Sequence, residues 1–295
     1  MKKGFRLKWW LNFTGGGLGL AGAIFVAVRL YANAGQIDLG CFNGANWFIF
    51  ALLAAVYGIS NLLLASAWWY VLNYLAVKST WFGAAKIYGQ SQIAKYVPGN
   101  IFHLAGRQAL GMAAELPPWA LAKSTLWELG MIAVAGVIWG IFTAPLLWPF
   151  LSVWLSSMLF VAVLALLLAC AYHRFSPSIA AALTCQSIFL ALSGVVFIGI
   201  LRVVVPAQTL LPPFVVLGGA YVLAWLVGFV TPGAPAGLGV REMVLLFLLG
   251  GQIQQADLVL AVVLGRLVNI VGDFIYFVMA TFIDKKGRIA ECERQ

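Results

Sequence analysis

Long apolar stretches recur along this chain of 295 residues, and they constrain its fold more than any other feature. A helix needs about 20 apolar residues to cross the hydrocarbon core of a bilayer, where lipid offers no partner for unpaired backbone groups. The apolar stretches do not alternate with polar residues, which argues against membrane-spanning strands. The sequence therefore predicts an all-α, polytopic membrane protein.

Seven stretches meet this length, and we expect about seven to eight spans in a single integral membrane domain over residues 1–295. They cover residues 13–31, 46–75, 126–143, 147–172, 179–201, 214–230 and 258–282. The first stretch resembles a signal peptide, but its length favours an uncleaved first helix.

The composition excludes a water-soluble protein. Hydrophobic residues make up 63% of the chain and charged residues 9%, whereas a soluble domain carries roughly 25% charged residues. The net charge of +9 lies mostly in the ends and in short loops, which is typical of membrane topology rather than of nucleic-acid binding. This bias predicts the cytoplasmic (inner) membrane, with both termini and Lys78, Lys86 and Lys95 on the cytoplasmic side.

The cysteines form no cluster with one another or with histidine. They are Cys41, Cys170, Cys185 and Cys292. This pattern argues against a zinc site, a disulfide scaffold and a dithiol redox centre. The sequence also contains no GxxxxGK[ST] motif, so we expect no metal, no other cofactor and no ATP-driven step.

Two stretches, at about 81–112 and 231–250, are interrupted by proline and glycine and predict broken or re-entrant segments. In each stretch an arginine stands nine positions after the proline of a Pro-Gly pair. Arg107 follows Pro98 in this way, and Arg241 follows Pro232. The two arginines stand 134 residues apart, which indicates a weak internal repeat and is compatible with an inverted one. Interrupted backbone at membrane depth must face protein or a wet cavity, so both segments should face the bundle interior.

Each Pro-Gly pair should form a turn followed by a new helix N-terminus. Such a terminus binds phosphate or carboxylate, and an arginine two turns further on can contribute to the same anion site. The candidate substrate-binding residues are Pro98, Gly99, Asn100, His103, Arg107, Pro232, Gly233, Gly237, Gly239 and Arg241. Alternatively, the prolines only end loops and both arginines extend to the membrane interface.

Further polar residues lie inside or beside the apolar stretches, and we expect them to form a buried polar network. They are Glu128, Glu242, Arg266, Asn269 and Asp273. Ionisable groups in a membrane usually face a cavity or pair with each other. The network either lines a ligand path or only holds helices together, with Arg266 paired to Asp273 or Glu128 and Arg241 paired to a neighbouring carboxylate.

These motifs together resemble the lysylphosphatidylglycerol synthase transmembrane-region family, the flippase-like membrane domain of multiple peptide resistance factor. The matching residues are Lys95-Tyr96-Val97-Pro98-Gly99, Gly106-Arg107, Glu128, Thr231-Pro232-Gly233, Gly237-Leu238-Gly239-Val240-Arg241-Glu242 and Arg266. Ala234-Pro235-Ala236 departs from the plainer glycine-rich link that is usual in the family. The resemblance implies a lipid-translocating or lipid-binding role, in a stand-alone member without the aminoacyl-transferase domain.

The leading hypothesis is a flippase-like translocator, not an enzyme. It would handle an anionic phospholipid or an isoprenoid-phosphate-linked glycolipid in cell-envelope biosynthesis. One alternative is a membrane-embedded lipid-phosphate transferase, for which Glu128, Glu242, Asp273 and His103 are candidate groups. Another is a non-catalytic membrane partner of a glycosyltransferase. The expected partners are lipids with anionic headgroups and envelope-synthesis proteins, not nucleic acid.

Overall fold

The computed structural model describes residues 44–96, 102–148, 150–206, 208–231, 237 and 239–283. Within these ranges the chain forms nine α-helices of ten or more residues and no strand. The helices are α1 (Gly44–Tyr74), α2 (Trp81–Gln92), α3 (Phe102–Ala113), α4 (Pro118–Trp139), α5 (Val153–Arg174), α6 (Pro177–Val204), α7 (Phe214–Val230), α8 (Val240–Leu249) and α9 (Gln255–Phe282). The all-α prediction is confirmed, and the predicted span at 13–31 lies outside the described residues.

Five of the described helices are long and apolar enough to cross a membrane. They are α1, α4 with its extension to Leu147, α5, α6 and α9. The protein is therefore a polytopic helical membrane protein. Helix α7 matches the predicted stretch at 214–230, but at 17 residues it is shorter than these five.

Two predicted stretches begin at the wrong residue. Helix α4 begins at Pro118 rather than at residue 126, because a proline is tolerated in the first turn and Leu121 is already buried. Because Lys123 is charged and exposed, the sequence alone did not predict that the helix begins before it. Helix α5 begins at Val153 rather than at residue 147, because Ser152 caps it by accepting a hydrogen bond from the Leu155 backbone N–H (3.2 Å).

The interrupted stretch 81–112 forms a helical hairpin, and the stretch 231–250 forms a second one together with α7. Helices α2 and α3 have 12 residues each and span about 18 Å each, too little to cross a bilayer. They pack against each other, so the chain reverses between them, and α7 and α8 pack in the same way. The second reversal uses Gly237 and Gly239, whose φ angles of 70° and 80° favour glycine.

Four helices of the first half of the chain, α1 to α4, correspond to four helices of the second half, α6 to α9. Helices α6 and α7 each begin 133 residues after α1 and α2, and α8 and α9 begin 138 and 137 residues after α3 and α4. These offsets match the 134-residue separation of the two arginines. The weak repeat of the motifs therefore extends over a helix, a hairpin and a second helix in each half.

The packing follows the same correspondence. Helix α9 packs on α1 and α2, and α4, with its 3₁₀ extension Gly140–Thr143, packs on α6 and α7. The Tyr276 hydroxyl donates to the Ala85 carbonyl (3.0 Å). At the equivalent positions Phe142 lies so close to Gly219 that a Cβ there would stand 2.5 Å from the Phe142 Cβ.

The two halves are inverted relative to each other. Equivalent helices α1 and α6 form the most extensive helix contact. Leu53 of α1 lies against Gly199 of α6. Tyr57, further along α1, lies beside Phe189, which comes earlier in α6, with ring centroids 5.9 Å apart. The two helices therefore run antiparallel. Antiparallel packing of equivalent helices is the arrangement that an inverted repeat requires.

Candidate functional site

A cavity of about 240 Å³ lies inside the helix bundle, lined by both hairpins and by α1, α4, α6 and α9. It is far larger than the roughly 10–15 Å³ that one water molecule needs. Six residues singled out in the sequence line it: His103, Arg107, Glu128, Arg241, Arg266 and Asn269. The structure thus brings the arginines of the two Pro-Gly motifs to the same cavity.

Arg107 is held by an ion pair and two aromatic rings. It donates to Glu128, and its guanidinium lies 3.8 Å from the centroid of the Tyr88 ring and 5.5 Å from that of Trp68. The Tyr88 hydroxyl donates to the other oxygen of Glu128 (2.7 Å). Since Arg107 is only 1% exposed, its charge is compensated within the protein.

Lys95 and Asp273 form a second ion pair at the cavity, with 2.6 Å between Nζ and Oδ2. Asp273 is fully buried and also accepts from the Tyr96 hydroxyl and from the Asn61 amide (3.2 Å). The sequence places Lys95 in the first interrupted segment and predicts the cytoplasmic side for it, and this side stays a prediction for Lys95. Its side chain is 18% exposed and ties the first hairpin to α9.

Arg266 and Glu242 form a third ion pair, with 2.6 Å between Nε and Oε1. Arg266 also donates through Nη2 to the Gly237 carbonyl (3.0 Å), which satisfies a backbone oxygen at the interrupted segment. The expected pairing of Arg266 with Asp273 or Glu128 is wrong, because both carboxylates are engaged by cations of the first hairpin. The second hairpin supplies Glu242 instead.

Arg241 differs from these three cations. Its side chain crosses α7 at Gly228, where a Cβ would stand 2.8 Å from the Arg241 Cγ. Its guanidinium lies 5.9 Å from the centroid of the Trp225 ring, and its buried Nε, like that of Arg107, has no hydrogen-bond partner. Among the described residues Arg241 forms no ion pair, so the expected pairing with a neighbouring carboxylate is not found there.

The difference between the two arginines follows from one position in each half. Glu128 lies 21 residues after Arg107 and pairs with it. Val262 lies 21 residues after Arg241, and it borders a second, small cavity of about 10 Å³ together with Arg241. A valine cannot neutralise a guanidinium, so the second half has no carboxylate at the position that corresponds to Glu128.

Much of the remaining wall of the main cavity is apolar. It includes Leu64, Leu104, Leu129, Ile132, Phe189, Trp225, Phe229 and Ile270. His103 also lines the cavity, and its Nδ1 is buried without a hydrogen-bond partner. The cavity is thus amphipathic, with an unneutralised arginine and a polar histidine facing hydrocarbon side chains.

Not every candidate residue lines this cavity. Gly237 and Gly239 instead shape the turn before α8, where the Gly237 Cα packs against Gly228. Five candidates, Pro98, Gly99, Asn100, Pro232 and Gly233, lie outside the described residues. Of the predicted polar network, Glu242 and Asp273 do not line the cavity but anchor cations that do.

Sequence reasoning gave no site role to several lining residues. Examples are Tyr57, Tyr88, Gln92 and Tyr96. Tyr96 follows Lys95 directly and precedes the Pro-Gly pair, and this position beside the motif could have identified it as a candidate site residue. Tyr57 and Tyr88 carried no signal, because a tyrosine in an apolar helix usually fills core volume.

No protein-family model matches this chain, and no curated protein matches it in sequence. The resemblance carried by the two Pro-Gly motifs therefore stays a prediction.

Proposed function

We propose that this protein translocates a lipid with an anionic headgroup across the cytoplasmic (inner) membrane. The observation that carries the proposal is the guanidinium of Arg241, which lines an interior cavity without an ion-pair partner among the described residues. An unneutralised charge inside a membrane protein is costly, and such charges mark substrate pathways. An anionic ligand would remove this cost by pairing with Arg241.

The apolar wall of the cavity supports a lipid rather than a small inorganic ion. Phe189, Trp225 and Phe229 offer surface to acyl or isoprenoid carbon, while Arg241 and His103 offer donors to headgroup oxygens. An anionic phospholipid and an isoprenoid-phosphate-linked glycolipid both combine these two features. The family that the Pro-Gly motifs resemble implies the same class of ligand.

The inverted repeat supports transport. In many transporters two inverted halves enclose a central site built from interrupted helices, and the halves rock around it to expose the site to either side. Here the cavity lies between two hairpins of corresponding position, one from each half. We place both termini in the cytoplasm, as the distribution of basic residues predicts.

The test is lipid movement in proteoliposomes that contain the full-length chain and fluorescently labelled phosphatidylglycerol. The fraction of label reachable by a membrane-impermeant quencher reports movement between leaflets. We expect Arg241→Gln to slow this movement by about tenfold, roughly the effect of losing one charge-assisted contact of 1.4 kcal/mol or more.

Arg202→Gln is the matched control, because it removes the same charge from an exposed arginine that lies 5.3 Å from the Phe214 ring. We expect it to move lipid at the rate of the unaltered protein. Equal rates for Arg241→Gln and the unaltered protein would refute the proposed mechanism. Chemical conversion of the lipid would instead support a transferase, and absence of movement in every preparation would support a non-catalytic partner role.

A further inference from the structure

We infer that the cavity is built for a headgroup with a single negative charge, as in a lipid phosphodiester. This inference rests on the proposed function and narrows its substrate class. Four cations belong to the cluster at the cavity: Lys95, Arg107, Arg241 and Arg266. Three carboxylates pair with three of them, so one positive charge is left over in the described part of the chain.

The two hairpin turns do not change this count of charges. Residues 97–101 and 232–236 lie outside the described residues, and the sequence has no charged residue in either stretch. His103 also faces the cavity and is counted as neutral, because histidine is mostly uncharged at pH 7. Among the described residues of the cluster, the surplus of one positive charge is therefore located at Arg241.

A single surplus charge selects among headgroups. A phosphodiester carries one negative charge and would bring the cluster to neutrality. A phosphomonoester or a diphosphate can carry at least one further negative charge, which would have no cation to pair with among the described residues of the cluster. A zwitterionic headgroup has no net charge, so the surplus positive charge of the cluster would remain uncompensated.

The equivalence of the two halves suggests a variant in which a carboxylate of the protein itself pairs with Arg241. Val262 occupies the position that Glu128 occupies in the first half, and it borders the small cavity behind Arg241. A glutamate there would supply the missing carboxylate to Arg241. Val262→Gln is the matched control, since it has the same size and hydrogen-bonding reach but no charge.

The experiment measures binding and movement in proteoliposomes of the full-length protein. The probes are phosphatidylglycerol, phosphatidic acid at pH 8.5 and phosphatidylcholine, each in a neutral carrier lipid. We expect phosphatidylglycerol to move at least tenfold faster than the other two lipids. We expect Val262→Glu to lose this movement and Val262→Gln to keep more than half of it.

Glycerophosphoglycerol, a soluble phosphodiester without acyl chains, distinguishes a lipid from a free anion. We expect it to compete only at concentrations at least a hundredfold above those of the lipid. Equally effective competition would mean that the site takes a soluble phosphodiester, and the lipid part of the inference would be wrong.

The remaining outcomes separate this inference from the proposed function. If phosphatidic acid at pH 8.5 moves as fast as phosphatidylglycerol, the single-charge inference is refuted while lipid translocation stands. If no lipid moves in the unaltered protein, the proposed function itself fails. If Val262→Glu does not fold, the lipid comparison on the unaltered protein still decides the inference.

Discussion

Arg107 and Arg241 stand at equivalent positions of two inverted halves and line one cavity, yet only Arg107 has a carboxylate partner among the described residues. The first half provides Glu128 for this purpose, and the second half has Val262 in its place. Two copies of one motif thus have different physical roles. Arg107 is neutralised within the protein, whereas Arg241 is the residue that we propose for ligand binding.

The first prediction concerns the Arg107–Glu128 ion pair. Glu128→Gln should leave a buried guanidinium without its counter-charge, and removing one partner of a buried pair costs about 3–5 kcal/mol. We expect a marked loss of thermal stability in detergent, measured by the temperature at which the protein aggregates or loses helical signal.

The double variant Arg107→Met/Glu128→Gln tests the cause of this loss. It removes the unpaired charge along with the carboxylate, so it should recover at least half of the lost stability. A double variant less stable than Glu128→Gln alone would contradict the structural role of Arg107. Arg241→Gln should lower stability little, because no ion pair within the described residues is broken.

The second prediction concerns the crossing of Arg241 over α7. In Gly228→Ala the new methyl group would stand 2.8 Å from the Arg241 Cγ and 3.2 Å from the Gly237 Cα, so the arginine side chain must shift from its position. We expect lipid movement to fall severalfold while the protein stays folded. Gly218→Ala on the same helix is the control, since its methyl group meets only Ile198 at an ordinary 3.8 Å.

The third prediction concerns the close approach of α1 and α9. A Cβ at Gly272 would stand 2.7 Å from the Ala54 carbonyl oxygen, and backbone cannot move aside as a side chain can. Gly272→Ala should therefore separate the two helices and lower thermal stability. Gly265→Ala, on the same helix, adds a methyl group 3.7 Å from Ile200 and should be tolerated. Equal stability of the two variants would contradict this packing.

The fourth prediction concerns the attachment of the first hairpin to α9. Asp273→Asn removes the charge that binds Lys95 and weakens acceptance from Tyr96. We expect faster hydrogen exchange of the backbone amides in the 3₁₀ turn Ile93–Tyr96, measured by mass spectrometry.

Glu242→Gln provides the reciprocal control for this experiment. It breaks the ion pair with Arg266 in the other half and should leave exchange at residues 93–96 unchanged. Faster exchange at 93–96 in both variants would mean that the two ion pairs are not independent.

Much of the fold could be predicted because lipid imposes simple rules on a sequence. The predicted stretches 46–75, 179–201, 214–230 and 258–282 agree with helices to within three residues at each end. Helix α4 was predicted too short, since Lys123 marks the polar start of the same helix rather than a loop. A charge near the end of an apolar stretch therefore does not locate the end of the helix.

The site could be predicted only in part. The spacing of Pro98 and Arg107, repeated at Pro232 and Arg241, identified two segments that the fold brings to one cavity. It did not reveal that Lys95 belongs to the same cluster. A lysine beside an apolar stretch has the same appearance in a sequence whether it meets water or a buried aspartate.

The sequence by itself determined that the chain lies in a membrane and is helical. It also determined the two interrupted segments and most of the charged residues that are buried, because these features depend on composition and local order. The tertiary structure decided which charges neutralise each other. Tyr96 and Asp273 are 177 residues apart in the chain, and no local pattern relates them. Ion pairing requires a few ångströms of approach in space, so only the packing of the two halves could leave Arg241 as the cation without a carboxylate in the described cluster.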